Sequence, residues 1–161
     1  MRSFSLKTLA GAAVLAASFA QGAIAQTAAP AAADNGVMRV KSSYSIAESA
    51  ARIKADLKAK GITFFQEVDQ QLLAQRAGIQ LRPSTLLEFG NPALGTQFIT
   101  GNADAGLDWP VRLLLTQDDA GQVWAVWSDF TWIAKRHNIH NRDAQFNTAT
   151  GVVASVTSTL K

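Results

Sequence analysis

Two alternating segments joined by a short turn constrain the fold of this 161-residue chain more than any other feature. Residues 111–115 and residues 122–128 both place successive side chains on opposite faces of an extended chain. The intervening Asp118-Asp119-Ala120-Gly121 consists of residues that form tight turns. This pattern predicts an antiparallel hairpin, and therefore a sheet that is at least partly antiparallel.

Further strands are predicted at residues 37–42, 62–69 and 84–89, each bounded by turn-forming residues. On the return strand of the hairpin, Trp124 and Trp127 must point to opposite faces of the sheet. At least one of these tryptophans is therefore expected to lie outside the main core.

Helix signals separate these strands. Ser45 and Glu48 form the S-x-x-E capping motif, and Asn91-Pro92 is typical of a helix N-terminus. Apolar residues at three-four spacing predict a C-terminal helix: Phe146, Ala149, Val153, Val156 and Leu160. The element order predicts an α+β fold with a mainly antiparallel sheet of about four to five strands, helices packed on one face and a C-terminal helical tail.

The first 25 residues have the pattern of a cleavable secretory signal peptide. Arg2 and Lys7 precede an apolar run from Leu9 to Phe19, which is too short to span a membrane. Small residues at Ala23 and Ala25 then predict cleavage after Ala25. We therefore expect a periplasmic or secreted protein.

Four segments follow from this assignment: a signal peptide at 1–25, a flexible linker at 26–35, an α+β domain at 36–140 and the tail at 141–161. The chain contains no cysteine, so its fold must rest on its core rather than on disulfides. Removing Arg2 and Lys7 with the signal peptide leaves 13 basic and 12 acidic residues, a net charge of +1. We expect no nucleic-acid partner, and no stable membrane insertion after cleavage.

Several short motifs between Tyr44 and Ile139 make the chain resemble the DUF302 family of bacterial and archaeal proteins of unknown function. They are Val68-Asp69, Leu81-Arg82-Pro83, Phe89-Gly90-Asn91-Pro92, Gly95-Thr96, Leu107 to Arg112, Asp119 to Trp124, and Arg136-His137. The resemblance implies a β-α-β4-α domain of the TATA-box-binding-protein-like type, often dimeric. Relatives commonly carry Asp-His where this chain has Asp69-Gln70, so no role of such a pair in proton transfer or metal binding is carried over.

The sequence suggests one ligand-binding region, composed of Phe89, Asn91, Trp109, Arg112 and Asp69. An aromatic wall, an arginine and a helix N-terminus would suit a small anionic or amphipathic ligand. A weaker candidate is a metal site at His137 and His140, which are spaced by one helical turn.

No nucleophile motif is present, and no catalytic residue or cofactor is predicted. The favoured function is a non-enzymatic exported module, expected to be a homodimer, that binds a small ligand or a protein. One alternative is a hydrolase or isomerase that uses Asp69 or Glu67 as its base. Another is a structural or assembly protein of the cell envelope.

Overall fold

A computed structural model describes residues 35–161, so the predicted signal peptide and almost all of the predicted linker lie outside the described residues. The elements in chain order are β1 Val37–Lys41, α1 Ile46–Ala59, β2 Thr63–Asp69, α2 Gln70–Arg76, β3 Ser84–Gly90, α3 Pro92–Gly101, a 3₁₀ helix Ala103–Asp108, β4 Val111–Gln117, β5 Val123–Ser128, α4 Phe130–Arg136 and α5 Asp143–Ser158.

The described strands form one sheet in the order β1-β5-β4-β3-β2, and every neighbouring pair is antiparallel. The predicted hairpin is confirmed: β4 and β5 are paired from Gln117 and Val123 at the turn to Leu113 and Trp127. The fold is therefore α+β, as predicted. The 3₁₀ helix was not predicted, because its sequence carries no apolar stripe.

Alternation along the strands gives the sheet one buried face and one open face. Side chains from β3, β4 and β5 on the buried face join the core beneath α1, α3, α4 and α5: Leu87, Phe89, Leu113, Leu115, Ala125 and Trp127. On the other face, paired residues form a half-buried aliphatic row: Val68, Leu86, Leu114 and Val126. Trp127 thus belongs to the core, whereas Trp124 lies on the open face.

Helix α5 contributes directly to the core. All residues of its predicted stripe are at most 4% exposed: Phe146, Ala149, Val153, Val156 and Leu160. The ring of Phe146 stacks on Phe98 of α3 with centroids 4.4 Å apart. The C-terminal segment therefore packs on its own domain, and α5 shares one core with the residues before it.

The helix caps follow the sequence signals, with one difference. The Ser45 hydroxyl accepts a hydrogen bond from the Glu48 backbone N–H at 3.2 Å. The reciprocal half of the capping box is not formed, and the Glu48 carboxylate binds Arg52 at 3.0 Å. Asn91 caps α3, as its position before Pro92 predicts.

Asp118 organises the hairpin turn, which agrees with its expected role as a turn former. One carboxylate oxygen accepts the backbone N–H groups of Ala120 at 3.0 Å and Gln122 at 2.9 Å. The other accepts the indole N–H of Trp124 at 2.7 Å. The bond from Trp124, followed by the backbone bonds and the charge of Arg39, lowers the pKa of Asp118 against the opposing effect of desolvation.

Replacing Asp118 with Asn tests this turn. The amide keeps an oxygen for the backbone N–H groups but presents an NH₂ group where Trp124 needs an acceptor. Because folding lowers the Asp118 pKa, the carboxylate stabilises the fold above its ordinary pKa of 3.8, and this contribution is lost as the pH falls through the folded pKa. Urea unfolding should show D118N less stable than wild type at neutral pH, with the gap shrinking well below pH 3.8. A gap of equal size at both pH values would contradict this account.

Candidate ligand-binding site

A pocket of about 280 Å³ opens at the end of β3, between the C-terminal end of α1, helix α3 and helix α5. Its walls are mainly apolar, with Phe89, Leu94, Phe98, Trp109 and Val152 among them. Phe89 ends the buried face of β3, and α3 begins directly after that strand. The strand-to-helix connection therefore places side chains of both elements around the same cavity.

Two glycines allow the indole of Trp109 to form one wall. A Cβ atom on Gly95 would lie 1.6 Å from the Trp109 indole nitrogen, and one on Gly90 would lie 3.2 Å from it. The indole therefore packs directly on the backbone of β3 and α3. Phe65 meets the same ring edge-on, with centroids 5.7 Å apart. These contacts fix the half-buried tryptophan at the pocket.

The structure brings together three of the five residues suggested by the sequence: Phe89, Asn91 and Trp109 all line this pocket. Arg112 does not, because it follows Val111 in β4 and points to the open face of the sheet. There its guanidinium lies 3.5 Å from the Glu88 carboxylate.

Asp69 also lies away from the pocket. It pairs with Thr85 near the start of β3, whereas the pocket is at the other end of that strand. Its carboxylate caps α2 by accepting the Leu72 N–H at 2.9 Å. Glu67, the other suggested base, is exposed and pairs with Lys54 at 2.8 Å. Neither carboxylate is desolvated within a cavity in the way that a tuned catalytic base requires.

The polar groups at the pocket are mostly engaged within the protein. Lys60 is the one charged side chain that lines it among the described residues, and its ammonium pairs with Asp56. The Asn91 side chain accepts the N–H groups of Ala93 and Leu94 at 2.9 and 3.3 Å. The first amides of α3 are therefore less available to an anion than the sequence suggested.

The two histidines do not lie one turn apart on a helix, because α4 ends at Arg136, and they bind different partners. His137 is 5% exposed, and its Nε2 lies 2.6 Å from Asp108, which also binds Arg136 at 3.2 Å. His140 is exposed and lies 2.7 Å from the Asn138 side chain. Within residues 35–161, no group of three or more His, Cys, Asp or Glu side chains is placed to hold a metal ion.

The sequence did not point to several residues of the pocket. Lys60 directly follows α1, Leu94 and Gly95 belong to α3, and Val152 belongs to α5 in the predicted C-terminal tail. A partial signal was present: Gly95 is a glycine within a predicted helix that carries Leu94, Phe98 and Ile99. Such a residue indicates a close approach, but not which side chain makes it.

Comparisons with known proteins agree with this fold. Residues 38–156 match the profile of the family described as "Domain of unknown function DUF302". A crystal structure of an uncharacterized conserved DUF302 protein from Bacillus stearothermophilus superimposes with a TM-score of 0.64 at 20% identity, covering 78% of this chain and 95% of that one. At this level of identity the likeness shows the fold alone.

The chain is also similar to curated proteins that are about two and a half times as long as the matched segment. It is 39% identical over 106 residues to "Fluoride-specific ion channel FluC 1" of Brucella suis, covering 66% of this chain and 42% of that protein. The protein of the same name from Brucella abortus matches at 39% identity, with 39% of its length covered. In the part of the chain that the structure describes, no helix has the length and apolarity needed to cross a membrane.

Replacing Gly95 with Ala tests the contact that forms the tryptophan wall. The added methyl group would overlap the indole of Trp109, and overpacking of this kind costs about 1–3 kcal/mol. Gly151 is a matched control on another helix, because a Cβ there meets nothing within 4 Å. Urea unfolding should show G95A destabilised and G151A stabilised by about 0.5–1 kcal/mol. If G95A is stabilised like G151A, the close packing of Trp109 is wrong.

Proposed function

The chain belongs to the DUF302 family, whose description states no activity, and we propose that it is a non-enzymatic module that binds one small, mainly apolar ligand. The observation that carries this proposal is the cavity of about 280 Å³ walled by Phe89, Leu94, Phe98 and Trp109. Largely preformed apolar cavities with a few polar groups are the usual form of small-molecule sites.

The cavity volume limits the size of the ligand. An apolar protein cavity of about 150 Å³ holds benzene, so a cavity of this size holds about eleven non-hydrogen atoms by proportion. A single aromatic ring with a short substituent, or a short branched alkyl compound, fits this estimate. Burial of its apolar surface would supply most of the affinity.

The composition of the pocket favours binding over catalysis. Acid–base catalysis needs a titratable group within hydrogen-bond reach of the substrate. Among the described residues, Lys60 is the sole titratable side chain lining the pocket, and it is paired with Asp56. An enzyme that uses Asp69 or Glu67 is disfavoured, since both lie away from this cavity.

Export and self-association remain predictions. The signal-peptide pattern supports action in the periplasm or outside the cell. A homodimer would have an apolar surface available around α2, where Leu72, Leu73, Ile79 and Leu81 are 41–59% exposed. The same surface supports the envelope-assembly alternative, although the pocket makes that function the less favoured one.

A second candidate function is an accessory role beside a fluoride channel. The supporting observation is the 39% identity to a segment of proteins named fluoride-specific ion channels, of which this chain spans about two fifths. A strain lacking this protein should then be more sensitive to fluoride than its parent, with sensitivity restored by the wild-type gene. Equal sensitivity of the two strains would contradict this role.

The binding proposal is tested with Trp109→Ala and Arg112→Ala, which lie on opposite faces of the sheet. The probes are acetophenone, ethylbenzene and benzoate. Their binding is measured from the chemical-shift changes of the Gly90 and Gly95 amides in NMR spectra. Trp109→Ala should weaken the tightest of them at least about tenfold, which is about 1.4 kcal/mol. Arg112→Ala should leave affinity within about twofold, because this exposed side chain lies on the open face of the sheet and lines no wall of the pocket. Binding of none of the probes at these amides, or equal losses in both variants, would refute the proposal.

A further inference from the structure

We infer that the ligand of this pocket is an uncharged molecule with a hydrogen-bond acceptor, and that the indole N–H of Trp109 binds this acceptor. The inference rests on the proposed binding function and names the chemical class of the ligand. It depends on which charges at the pocket are already neutralised and on which donor is still free.

The positive charge at the pocket is compensated. The ammonium of Lys60 is paired with the Asp56 carboxylate one helical turn earlier. The side chain of Asp56 is only 17% exposed, and its second carboxylate oxygen is buried without a hydrogen-bond partner among the described residues. A ligand carboxylate that approached Lys60 would therefore meet this negative charge as well, and would lose its own hydration on entering the cavity.

The other features that would suit an anion are used elsewhere. The Asn91 side chain accepts the amides of Ala93 and Leu94 at the start of α3. The guanidinium of Arg112 lies on the open face of the sheet, beside Glu88. The pocket thus has no uncompensated positive group among the described residues.

Two side-chain donors at the pocket bind no protein acceptor among the described residues: the NH₂ group of the exposed Asn91 and the indole N–H of the half-buried Trp109. Of these two, the Trp109 indole belongs to the wall itself, packed on Gly95 and Gly90. Trp124 differs, since its indole N–H is bound to Asp118 at 2.7 Å. The N–H of a largely buried tryptophan normally has a partner. Contacts with Gly95 and Phe65 hold the Trp109 ring in place, so a bound acceptor would be oriented by a fixed donor.

Three probes that share one aromatic ring separate charge from hydrogen bonding. Acetophenone is neutral and has an acceptor, ethylbenzene is neutral without one, and benzoate is an anion. Affinities at neutral pH should rank acetophenone first, about 2- to 10-fold above ethylbenzene, which is the range of one neutral hydrogen bond. Benzoate should bind most weakly of the three.

Two variants assign these preferences to residues. Trp109→Phe keeps an aromatic ring but removes the donor, so the ratio of acetophenone to ethylbenzene affinity should fall to about one. The ratio cancels any change in cavity shape, which affects both probes. Asp56→Asn removes the charge that neutralises Lys60, so benzoate should gain at least about threefold relative to ethylbenzene. Unchanged circular dichroism would confirm that both variants fold.

The outcomes distinguish the inference from the function on which it rests. Tightest binding of benzoate, or equal binding of acetophenone and ethylbenzene to the wild type, overturns the inference and leaves the binding function standing. A ketone preference that survives in Trp109→Phe overturns the assignment of the donor. Absence of all three probes from the pocket overturns the proposed function itself.

Discussion

The indole of Trp109 lies on the backbone of Gly95 and Gly90, at distances that leave no room for a Cβ atom on Gly95 and little room for one on Gly90. This contact joins three parts of the chain: the end of β3, the first turns of α3 and the segment that enters β4. It also forms the wall of the pocket and positions the donor on which the proposed ligand chemistry depends. A side chain at Gly95 would displace the ring and so change the cavity.

The sheet determines which residues can contribute to this site. Antiparallel pairing brings Phe89 beside Val111, and both line the pocket. The same pairing sets Glu88 opposite Arg112, and this pair lies on the open face. Strand alternation therefore separates the buried face, which carries the cavity, from the open face, which carries this ion pair beside its aliphatic row. The charge of Arg112 cannot reach the cavity without crossing the sheet.

Much of the fold could be predicted from the sequence because its signals are local. The three-four spacing from Phe146 to Leu160 predicted a helix, and the structure buries that stripe in the core of the domain. Alternation on both sides of the Asp118 turn predicted the hairpin. The site was harder to predict, because its walls come from residues far apart in the chain. The residue type of Trp109 suggested a ligand-binding role. The sequence did not show on which face of the sheet Arg112 lies, because that depends on where the chain enters β4. No local pattern indicated that α5 would cover the pocket.

The most direct test of the central claim is native mass spectrometry of the protein purified from its own cell envelope. The account predicts a retained neutral compound of about eleven non-hydrogen atoms on each chain, lost on brief heating. Protein carrying Gly95→Ala and purified in the same way should retain none, because the methyl group displaces the tryptophan wall. A bare wild-type polypeptide, or an organic acid held equally well by both proteins, would contradict the account.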